Sequence, residues 1–297
     1  MATPRRRAWS WAAAAAAVAT GAGLYTTRRY FETAPGPAAF MHEDLRTAWT
    51  PAWRETLAAV QWLRLRRSAV FRGDGVPRGD GAPVLLVQGF LTRRFYLGTL
   101  RAWLERLGYR AGVAETGWNA DCYDVSADRV MAELESLSGR TRRRVHLVGH
   151  SLGGVLVRAV AARAPDLVAS VTTLATPFRG LRVHPGLRLT NLAARAVVHR
   201  RRRSVFPECM TFACPCATVR ALGAPLPSRL PQLAVVVPGD GMADWRYEAD
   251  PATTHAVEVP GCHVGVVFEP AMYEALAHHL AAAVAATADH ATGPPAS

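Results

Sequence analysis

Ser151 sits between two glycines in Gly149-His150-Ser151-Leu152-Gly153, at the point where one residue pattern gives way to another. Before it, Val145-His146-Leu147-Val148 is an apolar run of strand length. After it, Leu152, Val155, Leu156, Ala159 and Val160 recur at helical spacing. A strand that reverses into a helix this tightly strains its central residue and crowds the neighbours, and glycine removes the side chains that would clash. The hydroxyl is then left at the C-terminal edge of a sheet, beside a helix N-terminus that favours negative charge. That is a nucleophile's position. A hydroxyl at neutral pH also needs a base to take its proton and an acid to orient that base. The pentapeptide alone would equally suit a Gly-rich turn with a capping serine, so the elements around it decide.

Those elements point the same way. Pro83 to Phe90 reads as a buried strand ending in glycine, and Ser170 to Phe178 as another ending at a proline. Two more strands, Leu233 to Pro238 and Ala256 to Pro260, end beside an acidic residue and a histidine. Short apolar strands alternating with helical segments predict parallel βαβ units, whose sites gather at the strands' C-terminal ends. His263 follows the last strand on a Gly-containing loop and is the candidate base. His150 adjoins the serine, but neighbours on a tight turn point apart, which leaves it a structural role. His255 lies ahead of its strand, and His278 and His279 fall in a terminal helix. For the acid, Asp240 lies just past a strand end between Gly239 and Gly241, and is favoured over Asp244, with Asp250 third.

The blocks PVLLVQGF, VHLVGHSLGG, LATPFRG, GDGMADW and GCHVG, in this order from Pro83 to Gly265, give the chain a plain resemblance. It resembles the α/β-hydrolase superfamily, in its lipase-like and esterase-like branch of actinobacterial type. The resemblance implies an α/β fold: a mostly parallel, doubly wound sheet with a cap insertion and an N-terminal helical appendage. It implies a triad in the order Ser151, Asp240, His263, since Asp240 aligns with the aspartate of the Gly-x-Asp-Gly block and His263 stands where the superfamily keeps its histidine. It also implies an oxyanion hole from the backbone N–H groups of Phe90 and Leu152. Many relatives carry histidine where this chain has Gln88; because donation is from the main chain, little chemical loss is expected. No cofactor and no metal are called for.

The 297 residues, half of them hydrophobic, suffice for one sizeable domain with an appendage. Residues 1–30 hold Arg5-Arg6-Arg7 and then an uncharged, Ala-rich stretch from Ala8 to Leu24. This resembles a secretory signal or short membrane anchor, placing the protein at a membrane or outside the cell; the alternatives are an Ala-rich extension or a start at Met41 in a cytoplasmic protein. Residues 31–80 comprise an amphipathic segment (Leu45, Trp49, Trp53, Leu57, Val60, Leu63) and a Gly/Asp/Pro-rich linker. Trp53 and Trp62 would face a lipid, or the helix packs against the core. Residues 81–290 form the hydrolase domain, with the cap at about 181–230, where Leu187, Phe206 and Phe212 would suit an acyl pocket or packing of the cap.

A formal charge of +12 comes from dispersed arginine clusters at 64–67, 140–144 and 200–203. No nucleic-acid module accompanies them, so nucleic acid is excluded as a partner; a solvated basic surface is favoured, with an anionic membrane surface as the alternative. The spacing of Cys209, Cys214 and Cys216 does not match common zinc patterns. The expected activity is hydrolysis of carboxylic esters, lipid-like in class, through an acyl-enzyme. The rivals are an acyltransferase on the same fold and a membrane-tethered binding protein with a degenerate triad.

Overall fold

The computed structural model describes residues 52–180, 183–202, 205, 214, 216–221 and 224–291. The expected signal or anchor lies outside these residues, as do Phe206, Phe212 and Cys209. Among the described residues no helix is long and apolar enough to cross a bilayer.

Six strands form one sheet: β1 (Pro83–Val87), β2 (Arg110–Val113), β3 (Val145–His150), β4 (Val168–Leu174), β5 (Gln232–Val236) and β6 (His255–Glu258). Their order is β2-β1-β3-β4-β5-β6 and every pairing is parallel. Parallel neighbours require crossovers, and among the described residues five further helices of nine residues or more join α1 (Ala58–Arg67): α2 (Gly98–Arg106), α3 (Tyr123–Thr141), α4 (Leu152–Arg163), α5 (Pro185–Arg202) and α6 (Pro270–Ala291).

Side-chain alternation divides the core into two layers. Val84 and Leu86 of β1 meet α2 and α6 through Trp103, Leu104, Tyr273 and Leu276. Leu85 and Val87 of the same strand meet α3 and α4 through Val130, Leu134, Leu156 and Val160. Helices therefore cover both faces, which is why β1, β3, β4 and β5 are buried along their whole length. This is the α/β-hydrolase fold that the sequence predicts.

The segment ahead of the sheet packs onto it. A 3-10 turn, Ala52–Leu57, leads into α1, whose Gln61 and Leu65 are buried. Trp53 (65% exposed) and Trp62 (39%) remain on the outer face. Phe71 meets the Tyr273 ring edge-on, and Trp103 Nε1 donates to Val70 O at 2.8 Å. The stretch that reads as a linker is pinned as well, with Gly79 and Gly81 N–H groups donating to Leu107 O and Gly108 O.

Between β4 and β5 the chain leaves the sheet as the cap. Arg195 of α5 is fully buried; it donates to Asp121 O at 2.6 Å and lies over the Tyr123 ring. The Asp124 carboxylate of α3 accepts from the N–H groups of Ala217 and Thr218, at the start of a one-turn helix (Ala217–Arg220). The cap is thus anchored on the start of α3.

Candidate functional site

Ser151 joins β3 to α4 with φ 53° and ψ −123°, a conformation that a side-chain-bearing residue adopts only under strain. The flanking glycines are required by close approach. A Cβ on Gly153 would lie 2.1 Å from Val87 O, and one on Gly149 would lie 2.4 Å from Gly153 O. Backbone atoms cannot give way, so both positions exclude any larger residue.

Three side chains from three loops meet in one line of hydrogen bonds. His263 Nε2 is 2.8 Å from Ser151 Oγ, and His263 Nδ1 is 2.5 Å from Asp240 Oδ2. The other Asp240 oxygen accepts from the N–H groups of Met242 and Ala243 at 2.6 and 2.7 Å. Burial alone would lower the His263 pKa, but the Asp240 charge and hydrogen bond, helped by the Glu55 charge, hold it above the ordinary histidine value. An imidazolium formed at this position is therefore stabilised. Asp244 does not reach the histidine; it pairs with Arg246 Nη2 at 2.8 Å and starts the turn Trp245–Tyr247. Asp250 accepts from Ala252 N–H and Thr253 Oγ1 in an exposed loop.

His150 is buried, with Nε2 3.0 Å from His263 O. Burial is the main cause that pulls its pKa down to about 3, so the ring is neutral and Nε2–H donates. It supports the His263 loop without touching Ser151. His255 opens β6 at the far end of the sheet from His263, and His278 and His279 lie in α6. Gln88 is fully buried and donates to Thr116 Oγ1 at 2.8 Å, while Asn119 donates to Gln88 O.

Ser151 and His263 open into a cleft of about 440 Å³, its mouth included, lined mainly by apolar groups such as Val155, Pro177, Val183 and Leu187. Phe90 and Leu152 flank it. The Leu152 N–H is the first of α4 and has no acceptor within the helix. The cap closes one side: Val183 bridges to Ala243, and His184 N–H donates to Met242 O at 2.7 Å.

Three features were not foreseen from the sequence. Glu248 is fully buried and accepts from Val237 N–H at 2.9 Å; burial, with Asp240 beside it, holds its carboxyl well above the usual range. Glu55, on the turn before α1, accepts hydrogen bonds from both the Asp240 and the His263 loops. The sulfurs of Cys122, Cys214 and Cys216, none of them in a disulfide, lie within 4.8 Å of one another. At that spacing they suit a soft ion or a disulfide between α3 and the cap. Cys122 comes from a different element, so spacing within the Cys209–Cys216 run gave no sign of the cluster.

Comparison with known proteins agrees with the architecture. The sequence profile of the family described as alpha/beta hydrolase fold matches residues 112–212. A triacylglycerol lipase of Pseudarthrobacter phenanthrenivorans is 36% identical over 107 residues, 33% of this chain and 34% of that one. One from Burkholderia plantarii is 36% identical over 107 residues, covering 33% and 30%. The chain thus spans about a third of the length of these curated relatives. Among solved structures, a soluble variant of monoglyceride lipase from Saccharomyces cerevisiae, in complex with a substrate analog, has a TM-score of 0.51 at 12% identity. It covers 70% of this chain and 90% of its own, a likeness of fold alone. With the parallel six-stranded sheet and the strained turn at Ser151, these matches show an α/β-hydrolase fold, in a chain similar to triacylglycerol lipases over about a third of its length.

Proposed function

We propose that this protein is a serine carboxylester hydrolase acting on lipid-like esters. The observation that carries the reading is the unbroken line from Ser151 Oγ through His263 to Asp240 at the floor of an apolar cleft. Ser151 Oγ attacks the ester carbonyl carbon as His263 Nε2 takes its proton. Asp240 holds the Nδ1–H tautomer and stabilises the imidazolium. The carbonyl oxygen, now an oxyanion, accepts from the backbone N–H groups of Phe90 and Leu152. Collapse expels the alcohol, which takes the proton from His263, and leaves an acyl-Ser151. Water, deprotonated by the same histidine, then attacks the acyl carbon and releases the acid. No step calls for a cofactor.

The apolar lining favours an acyl chain over a charged substrate. Exposed Trp53, Val60, Trp62 and Leu63, on the same segment as Arg64, Arg66 and Arg67, suit contact with an anionic membrane surface, consistent with a membrane-anchored or secreted protein.

The test is covalent labelling of the full chain by a fluorophosphonate, read by intact mass with detergent present, beside the Ser151→Ala variant. One adduct on the parent and none on the variant is the expected outcome. A folded parent that takes no adduct would sink the hydrolase reading and favour a binding protein.

A further inference from the structure

The loops that carry Asp240 and His263 are not held by each other alone. Glu55 Oε1 accepts from Gly241 N–H at 3.1 Å and from His263 N–H at 3.2 Å, while Oε2 accepts from Val264 N–H at 2.7 Å. One carboxylate therefore joins the residue after Asp240 to His263 itself and to the residue after it. Hydrogen bonds to a charged acceptor are shorter and about twice as strong as neutral ones.

The histidine loop is shaped to receive this segment. Gln61, one turn into α1, donates from Nε2 to Glu269 Oε2 at 3.0 Å, and its Oε1 accepts from Cys262 Sγ at 3.2 Å. A Cβ on Gly261 would come within 2.1 Å of Gln61 Nε2, and one on Gly265 within 1.8 Å of Gln61 Oε1. Two glycines bracketing His263 thus make room for one side chain of α1. None of residues 52–67 falls in the stretch matched by the family profile.

We propose that Glu55 is a positioning residue for the triad, a staple from the N-terminal segment that fixes His263 against Asp240 and favours its protonated form. This rests on the reading of Ser151, His263 and Asp240 as the reacting set. As Ser151 attacks, His263 gains a proton and a positive charge. Glu55 lies against the backbone of that residue and opposes the charge with its own. The other titratable groups facing His263 are Asp240 on its loop, His150 at the end of β3 (ring centroids 5.0 Å apart) and Cys262. Tyr96 lies beyond, its hydroxyl donating to Val264 O at 2.7 Å. His150 stays neutral, burial pushes the Cys262 thiol up to about 12, and burial also pushes the Tyr96 hydroxyl well above its ordinary value. Among the described residues, the charges that raise the His263 pKa are then those of Asp240 and Glu55, with the Arg54 guanidinium lying beside Gly239.

The experiment uses the full chain and its Glu55→Gln and Glu55→Asp variants. Glu55→Gln keeps the size, loses the charge and sets an NH₂ group, which cannot accept, against one of the loop N–H groups. Turnover of a short-chain p-nitrophenyl ester should fall about 10- to 100-fold in kcat, the scale expected when a reacting group is displaced by about an ångström. KM should stay within about twofold, since Glu55 is not among the residues that line the cleft. The acid limb of the pH profile should move down, toward the free-histidine value of about 6.5, in Glu55→Gln and stay nearer the parent's in Glu55→Asp. In parallel, the His263 titration is read by NMR in the Ser151→Ala background, with and without Glu55→Gln. A lower His263 pKa without the Glu55 charge supports the staple, whether or not the parent cleaves an ester. An unchanged His263 pKa, or a folded Glu55→Gln with parental kcat and acid limb, overturns it.

Discussion

Asp240 and Asp244 lie on one loop and are both buried, yet their partners assign them different work. Asp240 spends one oxygen on two backbone N–H groups and the other on His263, whereas Asp244 is occupied by Arg246. Asp240→Asn should lower kcat about 10,000-fold with the fold intact, because an amide holds the wrong histidine tautomer. Asp244→Ala should leave kcat within about threefold and lower stability by about 1–3 kcal/mol, through the lost cap and the partner left half-buried. Steady-state kinetics beside urea unfolding checks both; a reversed pattern would make Asp244 the acid. The preference for Asp240 was legible in sequence because distance from a strand end is a local property. The upward shift of the Glu248 carboxyl was not, because it depends on burial beside Asp240, which only the folded loop creates.

At the scale of elements, the turn at Ser151 is legible because backbone sterics write it into adjacent residues. Gly153→Ala should destabilise by about 1–3 kcal/mol or more, since its Cβ would meet Val87 O at 2.1 Å. Gly98→Ala, at the start of α2 where nothing lies within 4 Å of the added Cβ, should be neutral or stabilise by about 0.5–1 kcal/mol. Urea midpoints of the two variants decide; equal effects would mean that the close approach at Gly153 relaxes freely. Strands β1, β3, β4 and β5 stand out as short apolar runs near the expected positions. β6, expected over Ala256–Pro260, runs over His255–Glu258 at one edge of the sheet and is mostly exposed, so His255 belongs to the strand and does not lie ahead of it. β2 does not stand out, because Arg110-Ala-Gly-Val is short, lies at the other sheet edge and is only partly buried. Of the segment expected to be an amphipathic helix, the described part is a 3-10 turn at Ala52–Leu57 followed by α1, with Gln61 and Leu65 buried. Its role at the site is invisible in sequence, since Glu55 and Gln61 look like ordinary surface polar residues.

Across the whole molecule, buried histidines set the acid response. Burial pulls His146, hydrogen-bonded to Ser170 Oγ at 2.9 Å, down to about 4, and His150 down to about 3. The unfolded chain takes up these protons near pH 6.5 and the folded chain does not, so stability falls as pH drops below that value. Each group contributes a slope of about 1.4 kcal/mol per pH unit until its folded pKa is reached. His263 acts in the opposite sense. Its raised folded pKa adds stability below about pH 6.5, lost as pH rises through the folded value. Urea unfolding between pH 7.5 and 4.5 should show the acid loss in the parent and a shallower slope in His146→Gln. Identical slopes would mean that His146 takes up its proton in the folded chain.

The staple at Glu55 also gives the site a place in time. Ser151 and its glycines can take up their turn as soon as β1, β3 and α4 are paired, and contacts that close over short stretches of chain form readily. Glu55 reaches Gly241, His263 and Val264 across separations of 186, 208 and 209 residues. The nucleophile turn is closed by nearer stretches of chain than the braced histidine, so the reactive centre stays incomplete until the His263 loop docks on the segment that carries Glu55. Ester turnover would then report the completion of folding, not merely its onset.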